Sequence, residues 1–91
     1  PVYRPYLKIK DAPFEQAGTL LNRVYVARSG DTMKSVSEKI YGSNRAKDLK
    51  KWNPSLPTAL RSGDKVYYSS PTAPQDSSRM MTYYDEVGVA P

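Results

Sequence analysis

Apolar and polar residues follow two different periods along the middle of the chain. Runs of β-branched and aromatic residues at positions 23–27 and 65–69 predict two β-strands. Between them, apolar side chains recur every three or four residues, which is the period of a helix with one buried face. The pattern therefore predicts the order strand, helix, helix, strand (βααβ).

The first helix is predicted over residues 32–41. Asp31 or Thr32 offers a side-chain oxygen to the free N–H groups at its start, and Gly42 lies where a left-handed C-terminal cap is favoured. Four residues at the helical period form its inner face: Met33, Val36, Ser37 and Ile40.

The second helix is predicted to begin after Ser43 or Asn44, either of which can cap it, and to end at Asn53. The end follows from Pro54, because the residue before a proline is disfavoured in the α region. The apolar stripe of this helix consists of Ala46, Leu49 and Trp52. A loop is predicted over residues 55–62.

These elements predict an α+β fold in which the two helices pack on one face of a two-stranded antiparallel sheet. A two-stranded ribbon is marginal in water, so the helices must cover it to form a core. On the first strand, either Val24 and Val26 or Tyr25 and Ala27 face inward, and the pattern leaves both open. The candidate core is Val24, Val26, Met33, Val36, Ile40, Ala46, Leu49, Trp52, Leu60, Val66 and Tyr68.

The two ends of the chain differ in composition from this middle segment, which is predicted to be one domain over residues 23–70. Residues 1–22 are predicted to be an N-terminal arm or linker, with a brief extended segment at residues 6–9. Residues 71–91 begin as a Pro- and Ser-rich linker and end as a Tyr- and Met-containing tail. This tail is either an unstructured end or an extended piece that packs back on the domain or binds a partner.

The absence of cysteine and histidine from all 91 residues removes several classes of chemistry. Disulfides, thiolate nucleophiles, the commonest zinc ligand and the usual general base are excluded together. Asp31 and Asp64 lie in turns and Glu38 lies on a helix surface, so no acid pair for glycoside cleavage is indicated. We expect a binding protein with no catalytic residue, no metal and no cofactor. No apolar run approaches the roughly 18 residues that a membrane span needs.

The net charge of +5 resides in the middle of the chain, where residues 24–70 carry nine basic against four acidic side chains. A basic surface attracts polyanions at long range. Four basic residues of the second helix region could form a stripe for nucleic acid: Arg45, Lys47, Lys50 and Lys51. No exposed aromatic residues are interleaved with them, so a solvated helix face is favoured and no nucleic-acid partner is expected.

Several short motifs occur together in the order typical of one family. They are Gly30-Asp31-Thr32 after the first strand, Tyr41-Gly42 at the first helix end, Trp52-Asn53-Pro54 at the second helix end, and Leu60 with Gly63 before the second strand. In this combination the segment 25–70 resembles a LysM domain, a small carbohydrate-binding module of cell-wall proteins. Three positions depart from the usual pattern of the family: Ala27 replaces Val, Met33 replaces Leu, and Ser37 replaces Ala.

The resemblance implies the βααβ fold and recognition of β-1,4-linked N-acetylglucosamine polymers, either peptidoglycan or chitin. In the family the glycan lies in a shallow groove between two loops. The first loop corresponds here to Gly30, Asp31, Thr32 and Met33, and the second to Asn53, Pro54, Ser55, Leu56 and Pro57. This site requires that the two loops lie side by side and that neither end of the chain covers them.

Each notable residue also has a purely structural interpretation. Asp31 and Thr32 are suited to cap the first helix, and Asn53 is part of the stop signal of the second helix. Trp52 falls on an apolar stripe and Tyr41 precedes a helix end, so both are expected to pack in the domain before they contact any sugar.

Two functions follow as hypotheses. In the first, the chain is a non-catalytic module that anchors a larger cell-envelope protein to peptidoglycan, in the periplasm or the extracellular cell wall. The lack of cysteine favours a bacterial source. In the second, the same scaffold is a protein-interaction or structural adaptor of an envelope assembly, and one of the chain ends contacts the partner.

Overall fold

A computed structural model of the chain describes residues 9–88. It contains β1 (Phe14–Gln16), β2 (Thr19–Leu21), β3 (Arg23–Val26), α1 (Met33–Tyr41), α2 (Ala46–Trp52), β4 (Lys65–Tyr68), β5 (Met81–Thr82) and α3 (Tyr83–Val87). The described part is a small α+β fold, and the order β3, α1, α2, β4 matches the order that the hydrophobic pattern predicts. Residues 6–8 of the predicted extended segment and the last three residues of the tail lie outside the described range.

Helix α1 is defined at both ends by its own sequence. Thr32 occupies the N-cap position; its hydroxyl accepts the Ser35 N–H at 3.0 Å, and the Ser35 hydroxyl accepts the Thr32 N–H at 2.9 Å. At the other end, Gly42 has a φ of 76° and donates its N–H to the carbonyl oxygen of Glu38. The helix therefore begins one residue after the predicted start, with Thr32 as its cap.

Helix α2 begins differently from the prediction. Arg45, rather than Ser43 or Asn44, holds the N-cap position, and its side chain makes no capping hydrogen bond. Its backbone N–H instead donates to the Ser37 hydroxyl at 3.0 Å, while the Asn44 side chain accepts the N–H of Ala46 at 3.2 Å. The start of α2 is thus satisfied partly by α1, a contact between helices that the local sequence does not reveal.

The main sheet has three strands in the order β4-β3-β5, so the predicted two-stranded sheet is wrong in strand number. Strands β3 and β4 pair antiparallel, with Arg23 opposite Tyr68 and Val26 opposite Lys65. Strand β5 pairs in parallel with the other edge of β3 over two residues. The predicted tail therefore closes the edge that β3 would otherwise expose.

A separate hairpin precedes this sheet, within the segment predicted as an arm. Strands β1 and β2 pair antiparallel around the two-residue turn Ala17–Gly18, whose φ angles are 52° and 80°. Two positive φ angles are the geometry of a tight hairpin turn. Phe14 of this hairpin packs edge-to-face on Tyr67 of β4, with 5.3 Å between ring centroids. The hairpin thus covers part of the sheet.

The core lies between the sheet and helices α1 and α2, and it settles which side chains of β3 face inward. Tyr25 and Ala27 belong to the core cluster, whereas Val24 is fully buried but outside it. Two predicted core residues, Val26 and Ala46, are only half-buried. The buried members of the cluster are Leu21, Tyr25, Ala27, Met33, Val36, Ile40, Leu49, Trp52, Leu60, Val66 and Tyr68.

The C-terminal segment is attached to the sheet through a buried charge. Arg23 is 4% exposed, and its Nε lies 3.3 Å from the Glu86 carboxylate of α3. The hydroxyls of Tyr68 and Ser70 both donate to the same carboxylate. Asp76 lies 3.7 Å from the other side of the guanidinium. Because an unpaired buried charge is costly, this pairing favours the docked position of α3.

Asn22 attaches the segment between β4 and β5 to the same region. Its side chain donates to the carbonyl oxygens of Ala73 and Asp76, each at 2.9 Å, and accepts the N–H of Ser70 at 2.9 Å. A fully buried amide with three hydrogen bonds is a strong positional constraint. The predicted linker is therefore held against the domain, and residues 69–80 are called the strap below.

We predict that Glu86→Ala lowers the free energy of unfolding by about 3 kcal/mol, because the buried Arg23 then keeps only the more distant and more exposed carboxylate of Asp76. Urea denaturation followed by circular dichroism measures the loss. Glu38→Gln, at an exposed position of α1, is the control and should change stability by less than about 0.5 kcal/mol. Equal stability of the two variants would contradict the anchoring role of Glu86.

Candidate functional site

The LysM resemblance implicates two loops, residues 30–33 and 53–57, and the first is bonded to the residues that directly follow the second. The Met33 N–H donates to the carbonyl oxygen of Thr58 at 3.0 Å. The Leu60 N–H donates to the carbonyl oxygen of Asp31 at 2.9 Å, and Thr32 and Ala59 form an isolated antiparallel bridge. The backbone thus ties the first loop to the chain that leaves the second loop.

Exposure divides the nine candidate residues into two groups. Asp31, Met33 and Asn53 are buried, at 8%, 1% and 6% exposure. The residues that remain accessible, fully or in part, are Gly30, Thr32, Pro54, Ser55, Leu56 and Pro57. A ligand would therefore meet a surface of small, apolar and backbone groups, supported from below by the three buried side chains.

Asp31 organises the first loop from inside. One carboxylate oxygen accepts the Arg28 N–H at 2.9 Å and the Tyr25 hydroxyl at 3.0 Å, and the other lies 3.3 Å from the ammonium of Lys39. Burial opposes its ionisation, but these hydrogen bonds and the Lys39 charge outweigh burial and hold the pKa of Asp31 below its ordinary value. The structural interpretation of Asp31 is the one that its contacts support.

The side chain of Asn53 is likewise hydrogen-bonded within the protein. Its side-chain oxygen accepts the Tyr67 N–H, and its amide donates to the carbonyl oxygens of Leu49 and Tyr67, all at 2.9 Å. This side chain therefore joins the end of α2 to strand β4. Both N–H groups of the side-chain amide already donate within the protein, so neither is free to donate to a ligand.

Lys50 holds the second loop from outside. Its ammonium donates to the carbonyl oxygen of Pro54 at 3.2 Å and to that of Leu56. Leu56 also donates its own N–H to the carbonyl oxygen of Asn53 at 3.1 Å, which closes the loop into a turn. Sequence reasoning placed Lys50 on a solvated helix face and missed this role. A lysine in the last turn of a helix does suit the carbonyls that follow.

The C-terminal helix α3 lies beside the first loop without covering either loop. Tyr83 packs edge-to-face on Tyr25, with 5.2 Å between centroids, and its hydroxyl donates to the carbonyl oxygen of Lys39 at 3.4 Å. The Arg28 guanidinium donates to the hydroxyl of Tyr84. Within residues 9–88, the hydrogen bonds and ring contacts of α3 do not involve residues 30–33 or 53–57. These contacts of α3 therefore do not reach either loop.

The two aromatic residues of the motifs pack inside the domain. Trp52 is 7% exposed and belongs to the core. Tyr41 donates its hydroxyl to the carbonyl oxygen of Ser69 at 2.7 Å, and burial raises the pKa of Tyr41 to about 12. Neither ring lies in the two loops, so stacking on sugar by these rings is not part of the loop site.

The described residues also bear on two other site classes. Within residues 9–88, no group of three or more acidic side chains is arranged to hold a metal ion. No helix in that range is both long and apolar enough to cross a membrane.

We predict that Asp31→Asn lowers the free energy of unfolding at pH 7 by about 1 to 2 kcal/mol, through loss of charge-assisted hydrogen bonds. The pKa of Asp31 is lower in the folded chain than in the unfolded chain. The stability that ionised Asp31 contributes is therefore fully present above its ordinary pKa near 4, and it is lost as the pH falls through the pKa of the folded chain. Urea denaturation from pH 7 to pH 2 measures this. The difference from the parent chain should shrink at acid pH, and a constant difference would contradict the assignment. Asp11→Asn, at an exposed position, is the control.

We predict that Lys50→Met loosens the second loop and leaves the domain folded. Stability should fall by less than about 1 kcal/mol, because Lys50 is exposed. Amide hydrogen exchange at Leu56 should be faster, because the turn loses its link to α2. Lys47→Met, on the same helix, is the matched control. Equal exchange rates at Leu56 in both variants would show that Lys50 does not hold the loop.

Comparisons of the chain with protein-family models, with curated proteins and with solved structures found no match.

Proposed function

We propose that this chain is a non-catalytic LysM-type module that binds N-acetylglucosamine-containing glycan, above all peptidoglycan, between residues 30–33 and 53–57. The observation that carries the proposal is that residues 31–33, in the first loop, are joined by backbone hydrogen bonds and a bridge to residues 58–60, which directly follow the second loop. The family resemblance of residues 25–70 supplies the ligand class.

The accessible surface of the loops suits an uncharged N-acetylated sugar. Such a sugar carries hydroxyls, an amide and an apolar methyl group. The exposed backbone at Gly30 and Ser55 offers polar groups, and Pro54, Leu56 and Pro57 offer apolar contacts. Because Asp31 and Lys50 already hold the two loops in place, little ordering entropy is lost when a ligand binds.

The charge around the loops favours attachment to an anionic wall. Asp31 is buried and paired with Lys39, while Lys50 places a positive charge on the second loop. The chain as a whole carries +5. Long-range attraction to acidic wall polymers would raise the local concentration of the module near its glycan.

In this proposal the module anchors a larger envelope protein of a bacterium, in the periplasm or in the extracellular cell wall. A shallow site between two loops binds weakly by itself, and several modules on one polymer would raise the overall affinity. The module performs no reaction, because it lacks histidine and cysteine and its buried carboxylates are engaged in pairs with basic side chains.

The adaptor hypothesis has less support from the contacts of the C-terminal segment. The residues that would bind a partner are largely used within the domain: Met80 is buried, Tyr83 packs on Tyr25, and Glu86 pairs with Arg23. Within residues 9–88, Val87 is the large apolar side chain that is exposed, at 43%. A single exposed valine is ordinary for a protein surface.

We predict that Ser55→Trp weakens binding to purified peptidoglycan sacculi by about tenfold, because an indole at this exposed position fills the space between the loops. Sedimentation of the chain with sacculi at about 0.15 M salt, where surface charge attraction is screened, measures the bound fraction. Ser77→Trp, at an exposed position of the strap, is the matched control and should sediment as the parent chain does. Equal sedimentation of both variants would contradict the loop site. A parallel titration with chitin oligomers shows whether neutral glycan binds at the same loops.

A further inference from the structure

Helix α3 reaches the turn at residues 28–31, between β3 and α1, through two neighbouring tyrosines. Tyr83 packs edge-to-face on Tyr25, with 5.2 Å between ring centroids, and donates its hydroxyl to the carbonyl oxygen of Lys39 at 3.4 Å. The Tyr84 hydroxyl accepts a hydrogen bond from the Arg28 guanidinium, whose carbon lies 6.0 Å from the centroid of the Tyr84 ring. The helix therefore contacts residues that precede and follow the first loop, without lining the loop itself.

Tyr25 and Lys39 are also partners of the Asp31 carboxylate, which orders the first loop from inside. The Tyr25 hydroxyl donates to one carboxylate oxygen at 3.0 Å, and the Lys39 ammonium lies 3.3 Å from the other. Lys39 also donates to the Tyr25 hydroxyl at 2.8 Å, so the three side chains contact one another. Asp31 in turn accepts the Arg28 N–H at 2.9 Å. Through Tyr25 and Lys39, α3 is therefore one contact away from the residue that orders the loop.

The turn that α3 contacts is exposed and contains a flexible residue. Arg28, Ser29 and Gly30 are exposed, and Gly30 has a φ of 91°, a conformation that glycine adopts readily but does not enforce. The backbone hydrogen bonds to residues 58–60 begin only at Asp31. Segments with few buried contacts open at a low cost in free energy, so contacts from outside the turn strongly affect how well it is ordered.

Helix α3 is itself fixed by the sheet and not by the loop. Glu86, three residues after Tyr83, lies 3.3 Å from the buried Arg23 and accepts a hydrogen bond from the Tyr68 hydroxyl at 3.1 Å. Thr82, which caps the start of the helix, belongs to β5 and pairs with β3. Because these anchors lie outside the loop, the helix can support the loop from a position that is already set.

We propose that docked α3 holds the first loop, residues 30–33, in its ligand-binding conformation, with Tyr83 and Tyr84 as positioning residues. Tyr83 limits the motion of the Tyr25 ring, and thereby that of the Asp31 carboxylate. Tyr84 holds the start of the turn through Arg28. Release of α3 then lowers the affinity of the loop for its ligand, although no residue that touches the ligand is lost. That the ligand is a glycan rests on the proposed function, whereas the hold of α3 on the loop does not.

Amide hydrogen exchange of the full chain tests the hold of α3 without any ligand. In Tyr83→Ala we expect exchange at Arg28 and Asp31 to be about tenfold faster than in the parent chain, because the turn opens more often. Exchange at Leu56, in the second loop, should stay within about twofold of the parent rate, which separates a local effect from a general loss of stability. Unchanged exchange at Arg28 and Asp31, or an equal increase at Leu56, would overturn the proposal.

Three milder variants of α3 separate its contacts. Tyr83→Phe keeps the ring on Tyr25 and should retain slow exchange in the turn. Tyr84→Phe removes only the hydroxyl that Arg28 bonds, and exchange at Arg28 should be about threefold faster. Val87→Ala, on the same helix at 43% exposure, is the matched control and should exchange as the parent chain does. Exchange in the turn that is as fast in Val87→Ala as in Tyr83→Ala would overturn the proposal.

Sedimentation with peptidoglycan sacculi separates this proposal from the proposed function. We expect Tyr83→Ala to bind about fivefold more weakly than the parent chain, and Val87→Ala to bind equally well. If Ser55→Trp loses sedimentation while Tyr83→Ala keeps it despite faster exchange in the turn, the loop site stands and the positioning role is overturned. If Tyr83→Ala exchanges faster in the turn while neither Ser55→Trp nor Tyr83→Ala changes sedimentation, the loop site is wrong and the hold of α3 on the first loop stands.

Discussion

The buried pairing of Arg23 with Glu86 is the interaction on which the arrangement of the whole domain depends. Arg23 lies in the central strand of the sheet at 4% exposure, and a guanidinium without a counter-charge at that depth would strongly disfavour folding. Its nearer counter-charge, Glu86, comes from α3, and the second, Asp76, comes from the segment between β4 and β5. Meeting this electrostatic requirement brings β5 to the free edge of β3. Residues 69–71 and Pro74, which follow β4, line a concavity together with Tyr41 and Trp52.

In the two loops, the residues that hold the backbone differ from the residues that stay accessible. Asp31, Asn53 and Lys50 use their polar groups on the protein itself, and the accessible residues are mostly small or apolar. A domain of this size has little free energy to spare for ordering a ligand site, so its sites lie where turns and helix ends are already constrained.

The helix pair and the loops were accessible to sequence reasoning because their signals are local. The Thr32 cap, the Gly42 end and the Asn53-Pro54 stop are each encoded within a few residues. The hairpin β1–β2 was not predicted, because Ala17 at a positive φ is an unusual turn residue and the strands are three residues long. Strand β5 has only two residues, too few for any period to show. The predicted cap of α2 was wrong because the Arg45 N–H donates to the Ser37 hydroxyl of α1. This hydrogen bond joins two helices, so the local sequence gives no signal for it.

The sequence by itself determined the order of strands and helices in the middle segment, the two loops between them and the absence of histidine and cysteine chemistry, because periodicity, caps and composition act over short distances. Tertiary structure alone decided that the first loop is bonded to the residues after the second, that Lys50 holds the second loop, and that the C-terminal segment joins the sheet. It also decided that Tyr41, Arg45 and Trp52 share a cleft with the strap. The physical reason is that these features depend on burying a charge or satisfying a backbone group with a partner distant in sequence, and only the folded chain shows which partner is near.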